Sequence, residues 1–298
     1  MSSPRLFCSD AARLRGDDNT ATTARTDVWF VVEFPGTWGR SPIIDAALPP
    51  PVRAALQHAL ATVPRSRLLF IRRRAEPALV GCRVYVAQSS PRPSITSFDV
   101  ASIEEVATLP LTAEALHPSS FILHPLLLVC THGQRDSCCG RRGYPLYDAL
   151  CKHEELDVWQ CSHVGGDRFA ANAVVLPWGL YYGPVEPRDA EALAAAIGRG
   201  EIFLPAYRGR SSFSRVAQAA ETFVRRETGL AAAGALRLTL RESLAGGRTR
   251  VQLREDDGTL HEVTIEQFVA VSSALLTCTA ASADSIPQFR LVEHRVTR

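Results

Sequence analysis

Five of the eight cysteines in this 298-residue chain fall between positions 130 and 161, and three histidines share or adjoin that window. One stretch reads Cys130-Thr-His132-Gly133-Gln-Arg135-Asp136-Ser-Cys138-Cys139-Gly140. A second reads Trp159-Gln-Cys161-Ser-His163-Val-Gly165-Gly166-Asp167-Arg168-Phe169. Thiolate sulfur and imidazole nitrogen together suit zinc or an iron–sulfur cluster. Structural zinc usually takes cysteines spaced C-x2–4-C. Here Cys138 and Cys139 are adjacent, and Cys130 stands nine positions before Cys139. So wide a loop suits two irons and two sulfides better than a single ion. Mixed Cys/His ligation of [2Fe–2S] occurs in Rieske centres, where it raises the reduction potential.

The residues around these donors have roles of their own. His132, between the cysteines, can hydrogen-bond a cluster sulfur or support a ligand. Gly165 and Gly166, with Gly133, allow close backbone approach, with N–H groups free to donate to sulfide. Arg135 and Asp136 either form a loop-bracing pair, or Arg135 compensates the charge of a cluster. Cys138 reads as a ligand, a redox partner or a small loop residue, and Cys161 as a ligand or a core thiol. Cys8, Cys82, Cys151 and Cys278 read as structural cysteines. Trp38, Trp159 and Trp178 read as core residues rather than electron relays.

The donors must be positioned by the elements around them. Apolar runs at 29–34 (WFVVEF), 67–72 (RLLFIR), 126–130 (LLLVC) and 158–161 predict buried strands. The 51–63 segment has an apolar helical face, and 144–153 predicts a helix with Leu146, Ala149 and Leu150 inward. Strand pairs are expected at 80–87 with 94–100, and at 174–176 with 180–182 around Pro177-Trp178-Gly179. One or two helical turns are expected at 168–173, and an Ala-rich helix at 188–197 ends at Gly198 and Gly200. The order from 126 is β-α-β-α-β-β-α, that of a thioredoxin-like unit. Residues 28–106 give the same order with the second helix missing or irregular. Cys130 and Cys161 would then end adjacent parallel strands, the edge where open α/β sheets place their sites. A helix over 213–224 and alternating runs at 236–240, 249–253 and 260–265 predict a helix and a small antiparallel sheet covering one face of the central unit. The expected organisation is a mobile polar segment at 1–27, an α/β unit at 28–118, the site-bearing unit at 119–200 and an α+β region at 201–298. The fold class is α/β, with two thioredoxin-like units in tandem plus that C-terminal region.

Composition narrows the function. Hydrophobic residues make up 46% and charged residues 21%, as in a globular protein with a sizeable core. The formal charge of +2 argues against a nucleic-acid or anionic-membrane surface. Lys152 is the sole lysine, and the arginines are scattered rather than clustered. No apolar run is long enough to span a bilayer, and the first 27 residues lack a signal peptide's apolar centre. A cytoplasmic location with reduced thiols is therefore expected.

Several motifs together resemble the sucrase/ferredoxin-like family, thioredoxin-like ferredoxins related to the fungal actin-patch-distal proteins. They are Cys130-Thr-His132-Gly-Gln-Arg135-Asp136 through Cys139-Gly140, and Ser162-His163-Val-Gly165-Gly166-Asp167-Arg168-Phe169-Ala-Ala-Asn172. The likeness is strongest over about 126–187. It extends to Phe34-Pro-Gly-Thr-Trp38-Gly-Arg40, Leu176-Pro177, Tyr181-Tyr182-Gly183 and Tyr207-Arg-Gly-Arg210-Ser-Ser, and is weak over the last 60 residues. The family pattern pairs two cysteines with His-x-x-x-His. It implies a [2Fe–2S] cluster with Cys130 and Cys139 on one iron and His163 on the other. This chain departs from it at the second histidine, which is Asp167. Either Asp167 ligates iron, or Cys138 or Cys161 does, or the site has lost its cluster.

The function these readings favour is one-electron transfer to or from a partner reductase or acceptor protein. No G-x-G-x-x-G follows a strand and no P-loop is present, so direct use of a nicotinamide or flavin nucleotide is not expected. A thiol oxidoreductase is the second class, disfavoured by the missing C-x-x-C. A zinc-stabilised binding module is the third, and would be colourless. Sucrase chemistry would need two carboxylates across a sugar, and nothing in the sequence points to them.

Overall fold

The computed structural model describes residues 6–74, 81–90, 92–112 and 125–298. The expected boundary between 118 and 119, and Val80 of the expected strand at 80–87, lie outside the described residues. In chain order, α1 (Cys8–Arg15) precedes β1 (Val28–Glu33), α2 (Pro42–Asp45), α3 (Pro50–Thr62), β2 (Ser66–Arg72), β3 (Cys82–Gln88) and β4 (Ser94–Val100). A second series follows: β5 (Leu126–Cys130), α4 (Ser137–Leu150), β6 (Asp157–Cys161), β7 (Ala173–Leu176), β8 (Leu180–Tyr182) and α5 (Ala190–Gly198). The remainder is β9 (Tyr207–Arg210), α6 (Arg215–Thr228) and strands β10 (Arg237–Ser243), β11 (Arg248–Arg254), β12 (Leu260–Ala274) and β13 (Asp284–Thr297).

β1 and β5 lack polar alternation because both of their faces are covered. They run in the middle of one nine-stranded sheet, ordered β4-β3-β1-β2-β6-β5-β7-β8-β9. Within it, β1 and β2 are parallel, as are β5 and β6, while β3 and β7 run antiparallel to β1 and β5. The series β2-β1-β3-β4 and β6-β5-β7-β8 therefore have one topology, and the chain contains two tandem thioredoxin-like units. They join edge to edge through a short antiparallel pairing, Ile71 with Cys161 and Arg72 with Gln160. The second helix of the site-bearing unit is reduced to one 3₁₀ turn, Asp167–Phe169.

Three expectations need correcting. Residues 6–27, before β1, are not a loose tail. Cys8, Ala12, Thr20, Ala21, Thr23 and Thr26 are buried. Side-chain bonds secure it: Asn19 Nδ2 donates to Gly183 O (2.8 Å), and Gln218 Nε2 to Thr23 O (3.1 Å). Helix α4 begins at Ser137, seven residues earlier than its apolar periodicity indicates, because Asp136 caps it by accepting from Cys138 N at 2.9 Å. The C-terminal sheet gains a fourth strand, β13, paired along the length of β12.

Helix α6 joins the two sheets. Its Ala217, Ala220 and Val224 pack on Val251, Leu253, Val263 and Ile265 of the small sheet. Among its buried polar residues is Glu221, which accepts from Arg210 Nη2 (2.8 Å), Arg225 Nη2 (3.1 Å) and Tyr207 Oη (2.9 Å). Burial alone would raise the Glu221 carboxyl, but the two guanidiniums outweigh it and hold it below the usual range. Removing one member of such a buried pair leaves a desolvated charge behind. Glu221→Ala should therefore cost about 3–5 kcal/mol in denaturant unfolding, whereas Glu242→Ala, on an exposed strand, should cost under about 1 kcal/mol.

Candidate metal centre

The in-register pairing of β5 with β6 sets Cys130 beside Cys161 at one sheet edge. Beyond it the chain turns through 131–136 and enters α4, which is seated directly on the end of β5. A Cβ on Gly143 would lie 2.0 Å from Cys130 O, and one on Gly140 would lie 2.9 Å from Gly133 Cα. Only glycine permits this approach, and it turns Cys139, in the first turn of α4, back toward Cys130.

The second loop leaves β6 along the edge of the first unit. Ser162 N donates to Phe70 O (2.8 Å), Ser162 Oγ accepts from Phe70 N (3.0 Å), and Arg67 Nη2 donates to His163 O (2.7 Å). Gly165 and Gly166 follow with φ of +90° and +79°, the left-handed region that favours glycine. A Cβ on Gly166 would meet the Arg208 guanidinium at 2.1 Å. Arg208 is buried beneath this loop, donating to Gly165 O (3.1 Å), Asn172 Oδ1 (2.7 Å) and Thr22 O (3.0 Å).

These two loops bring Cys130, Cys139 and His163 together, their ligand atoms within 4.8 Å of one another. Asp167 adjoins the group: its Oδ1 lies 3.5 Å from Cys139 Sγ and 3.2 Å from His163 Nδ1. His163 Nδ1 is buried yet makes no hydrogen bond. A buried polar atom of this kind calls for an explanation, such as an ion at the site. Two sulfurs, an imidazole and a carboxylate form a donor set that can hold a metal.

The electrostatics favour partial deprotonation. The Cys139 thiol, donating to Cys130, draws Cys130 well below the ordinary thiol value; the same contact holds Cys139 well above it. Burial pushes His163 down, but its bond to Cys130 and the Asp167 charge outweigh that, so it rises. Burial pushes Asp167 up to about 6 against the pull of His163.

His132 braces the site. Its Nε2 donates to Gly39 O (2.6 Å), so Nδ1 is free to accept from His163 N (3.2 Å). Burial holds it below the ordinary imidazole value, which suits this neutral form. Trp38 stands edge-on to its ring at 5.6 Å. Of the other two cysteines weighed as ligands, Cys161 is fully buried in the core cluster with Trp29, Val31 and Ile71. Cys138 points away from Cys139, into a separate group with Cys8, Asp136 and Cys278. The sequence reading did not single out Arg208, Asn172 or Thr22. Both Asn172 and Arg208 nevertheless lie within stretches that carry the family resemblance.

His163 is the exposed edge of the group, with 20% of its side chain open to solvent against 6% for Asp167. It lines a cleft of about 510 Å³ together with Asp167, Arg168, Arg208, Arg215 and Thr277. A second cleft, of about 390 Å³, also reaches His163 and carries Arg40, Arg67 and Arg135, the last of which lines both clefts.

The raised Asp167 carboxyl gives a signed prediction for the metal-free protein. A group whose pKa is raised in the fold supports stability at low pH and loses that contribution as pH climbs through its folded value. Asp167→Asn should match wild type below the ordinary value of 3.8 and become more stable than wild type above about 6. The gain, on the order of 3 kcal/mol, is read from urea unfolding across pH.

Comparison with known proteins agrees with the motifs. The sucrase/ferredoxin-like family model matches residues 20–209. Altered inheritance of mitochondria protein 32 from Meyerozyma guilliermondii is 34% identical over 99 residues, covering 30% of this chain and 35% of that protein. The Eremothecium gossypii protein of the same name is 36% identical over 104 residues, covering 30% and 33%. The chain thus spans about a third of the length of these relatives. A thioredoxin-like [2Fe–2S] ferredoxin from Aquifex aeolicus overlays 28% of this chain and 89% of its own, at 16% identity and a TM-score of 0.26. No helix among the described residues is long and apolar enough to cross a membrane. The family match runs over well more than half of the sequence, both cysteine- and histidine-bearing loops included, and the chain belongs to the sucrase/ferredoxin-like family.

Proposed function

We propose that Cys130, Cys139, His163 and Asp167 hold a [2Fe–2S] cluster through which this protein passes single electrons to or from a partner protein. The observation that carries this reading is the convergence of two buried thiols, the His163 imidazole and the Asp167 carboxylate, with His163 Nδ1 buried and, apart from its 3.2 Å approach to Asp167 Oδ1, without a hydrogen bond. When bound, such a cluster supplies a one-electron couple whose potential depends on its ligands, hydrogen bonds and solvent exposure.

The residues then have distinct tasks. Cys130 and Cys139, both inaccessible, supply thiolates and exclude water from the inner side. Asp167 takes the position of the family's second histidine, and its 3.5 Å approach to Cys139 Sγ favours it as fourth ligand; Cys138 turns into the separate group with Cys8 and Cys278, and Cys161 is not among the donors that come within 4.8 Å of one another. A carboxylate there adds negative charge and lowers the potential relative to a histidine pair. His163 is the exit to solvent, and the arginines of its two clefts suit an acidic face on the redox partner.

Anaerobically purified protein should be red-brown and carry about two irons and two acid-labile sulfides per chain. Cys130→Ser should lose both, and Asp167→His should retain them at a higher potential. Because His163 can release a ring proton on oxidation, the potential should fall by up to about 59 mV per pH unit near neutrality. A colourless protein that gains neither iron nor sulfide on anaerobic reconstitution would refute the cluster.

A further inference from the structure

We propose that Cys8, Cys138 and Cys278 form a second metal site, closed and structural, which takes one divalent cation of the zinc class with Asp136 as the oxygen ligand. Three positions far apart in sequence meet here. Cys138 Sγ lies 3.5 Å from Cys8 Sγ and 3.2 Å from Cys278 Sγ, and Cys278 Sγ lies 3.6 Å from Cys8 Sγ. Asp136 Oδ1 is 3.9 Å from Cys8 Sγ, and all four groups fall within one 4.8 Å set.

The spacing is that of ligands around one ion. Zinc–sulfur bonds of about 2.3 Å in a tetrahedron set the sulfurs about 3.8 Å apart, slightly wider than the three separations seen. A disulfide would join two of these thiols and strand the third. The mixture of sulfur with one carboxylate oxygen suits zinc better than a softer monovalent ion. Binding releases three thiol protons as three metal–sulfur bonds form, with no change of oxidation state.

The surroundings favour a thiolate at Cys138, which accepts from Cys8 Sγ. Cys8 and Cys138 each sit in the first turn of a helix, α1 and α4, whose N-terminal ends favour negative charge. Ser9 N points at Cys138 Sγ at 3.5 Å. Asp136 is held by N–H groups from Cys138 (2.9 Å) and Cys278 (2.7 Å). Cys8, Cys138 and Asp136 are buried, while Cys278 is half-buried and forms the entrance.

Such a site fastens α1 and the loop between β12 and β13 to the first turn of α4. The same loop, through Leu276, Thr277 and Thr279, walls the cleft in front of His163 and Asp167. A zinc ion here would therefore fix the outer wall of the first site without sharing any of its four ligands.

Zinc and iron should be measured on the full-length protein, grown with both metals and kept reduced. Wild type should hold about one tightly bound zinc per chain. Cys8→Ser and Cys278→Ser should each lose it while keeping iron and visible absorbance, and Cys130→Ser should lose iron but keep zinc. Should the variants not fold, zinc-edge X-ray absorption on wild type should show three sulfurs at about 2.3 Å and one oxygen. Wild type without zinc, zinc unaffected by Cys8→Ser and Cys278→Ser, or a zinc shell without sulfur would overturn the proposal. Because zinc and iron are read separately, a colourless protein that keeps zinc refutes the cluster alone.

Discussion

Arg208 carries a full positive charge into a place almost without water. Burial lowers its pKa to about 10, which leaves it charged at neutral pH. Moving a cation out of water costs several kcal/mol unless other groups replace the lost hydration. Here neutral oxygens from three parts of the chain do so: Thr22 from the segment before β1, Gly165 from the loop that follows β6, and Asn172 from the approach to β7. Asp167 lies close enough to add its negative charge. The guanidinium thus fixes the backbone of the His163–Asp167 loop and offsets the charge that two thiolates and a carboxylate would concentrate above it. Without it, the glycines that let the loop approach would leave it free to move away.

The first thioredoxin-like unit contributes scaffold rather than ligands. Its β2 edge receives the Ser162–His163 stretch, and the loop after β1 supplies Gly39 O and Trp38 to hold His132 in one tautomer. Arg72 lies 4.3 Å over the Trp38 ring and ties that loop to the seam between units. The two units share a topology but not a task. In one, the strand ends present thiols; in the other, the equivalent edge presents groups that orient an imidazole 93 residues downstream.

Much of this was legible in the sequence, and the exceptions have physical causes. The strand ending at Cys130 was plain because a short unbroken apolar run has few other uses in a folded domain. The start of α4 was hidden because Gly140, Gly143 and Pro145 read as helix breakers, whereas the glycines are there to let the helix sit on β5. The segment before β1 looked mobile because its anchors are threonines and Asn19, bonded at long range, and polarity alone does not reveal partners. Adjacency said nothing about the directions of Cys138 and Cys139. In a helical turn consecutive side chains diverge by about 100°, enough to send one to each group. The Cys8–Cys138–Cys278 cluster has no local spacing at all, so only the folded chain could bring it into view. Strand β13 alternates poorly and carries Pro287, which leaves little periodicity to read.

The seating of Gly143 on Cys130 O makes the span from 130 to 143 a measured length. One end is held in the sheet by Cys130 N donating to Asn172 O, and the other is pressed against that same residue's carbonyl. An inserted or deleted residue would rotate the first turn of α4, carrying Cys138 and Cys139 off their targets together. The eight residues between Cys130 and Cys139 are therefore a gauge set by mechanics rather than by any ion's coordination preference. A change of residue type at one position leaves this spacing intact, whereas a change in the count would displace Cys138 and Cys139 together and disturb both groups at once.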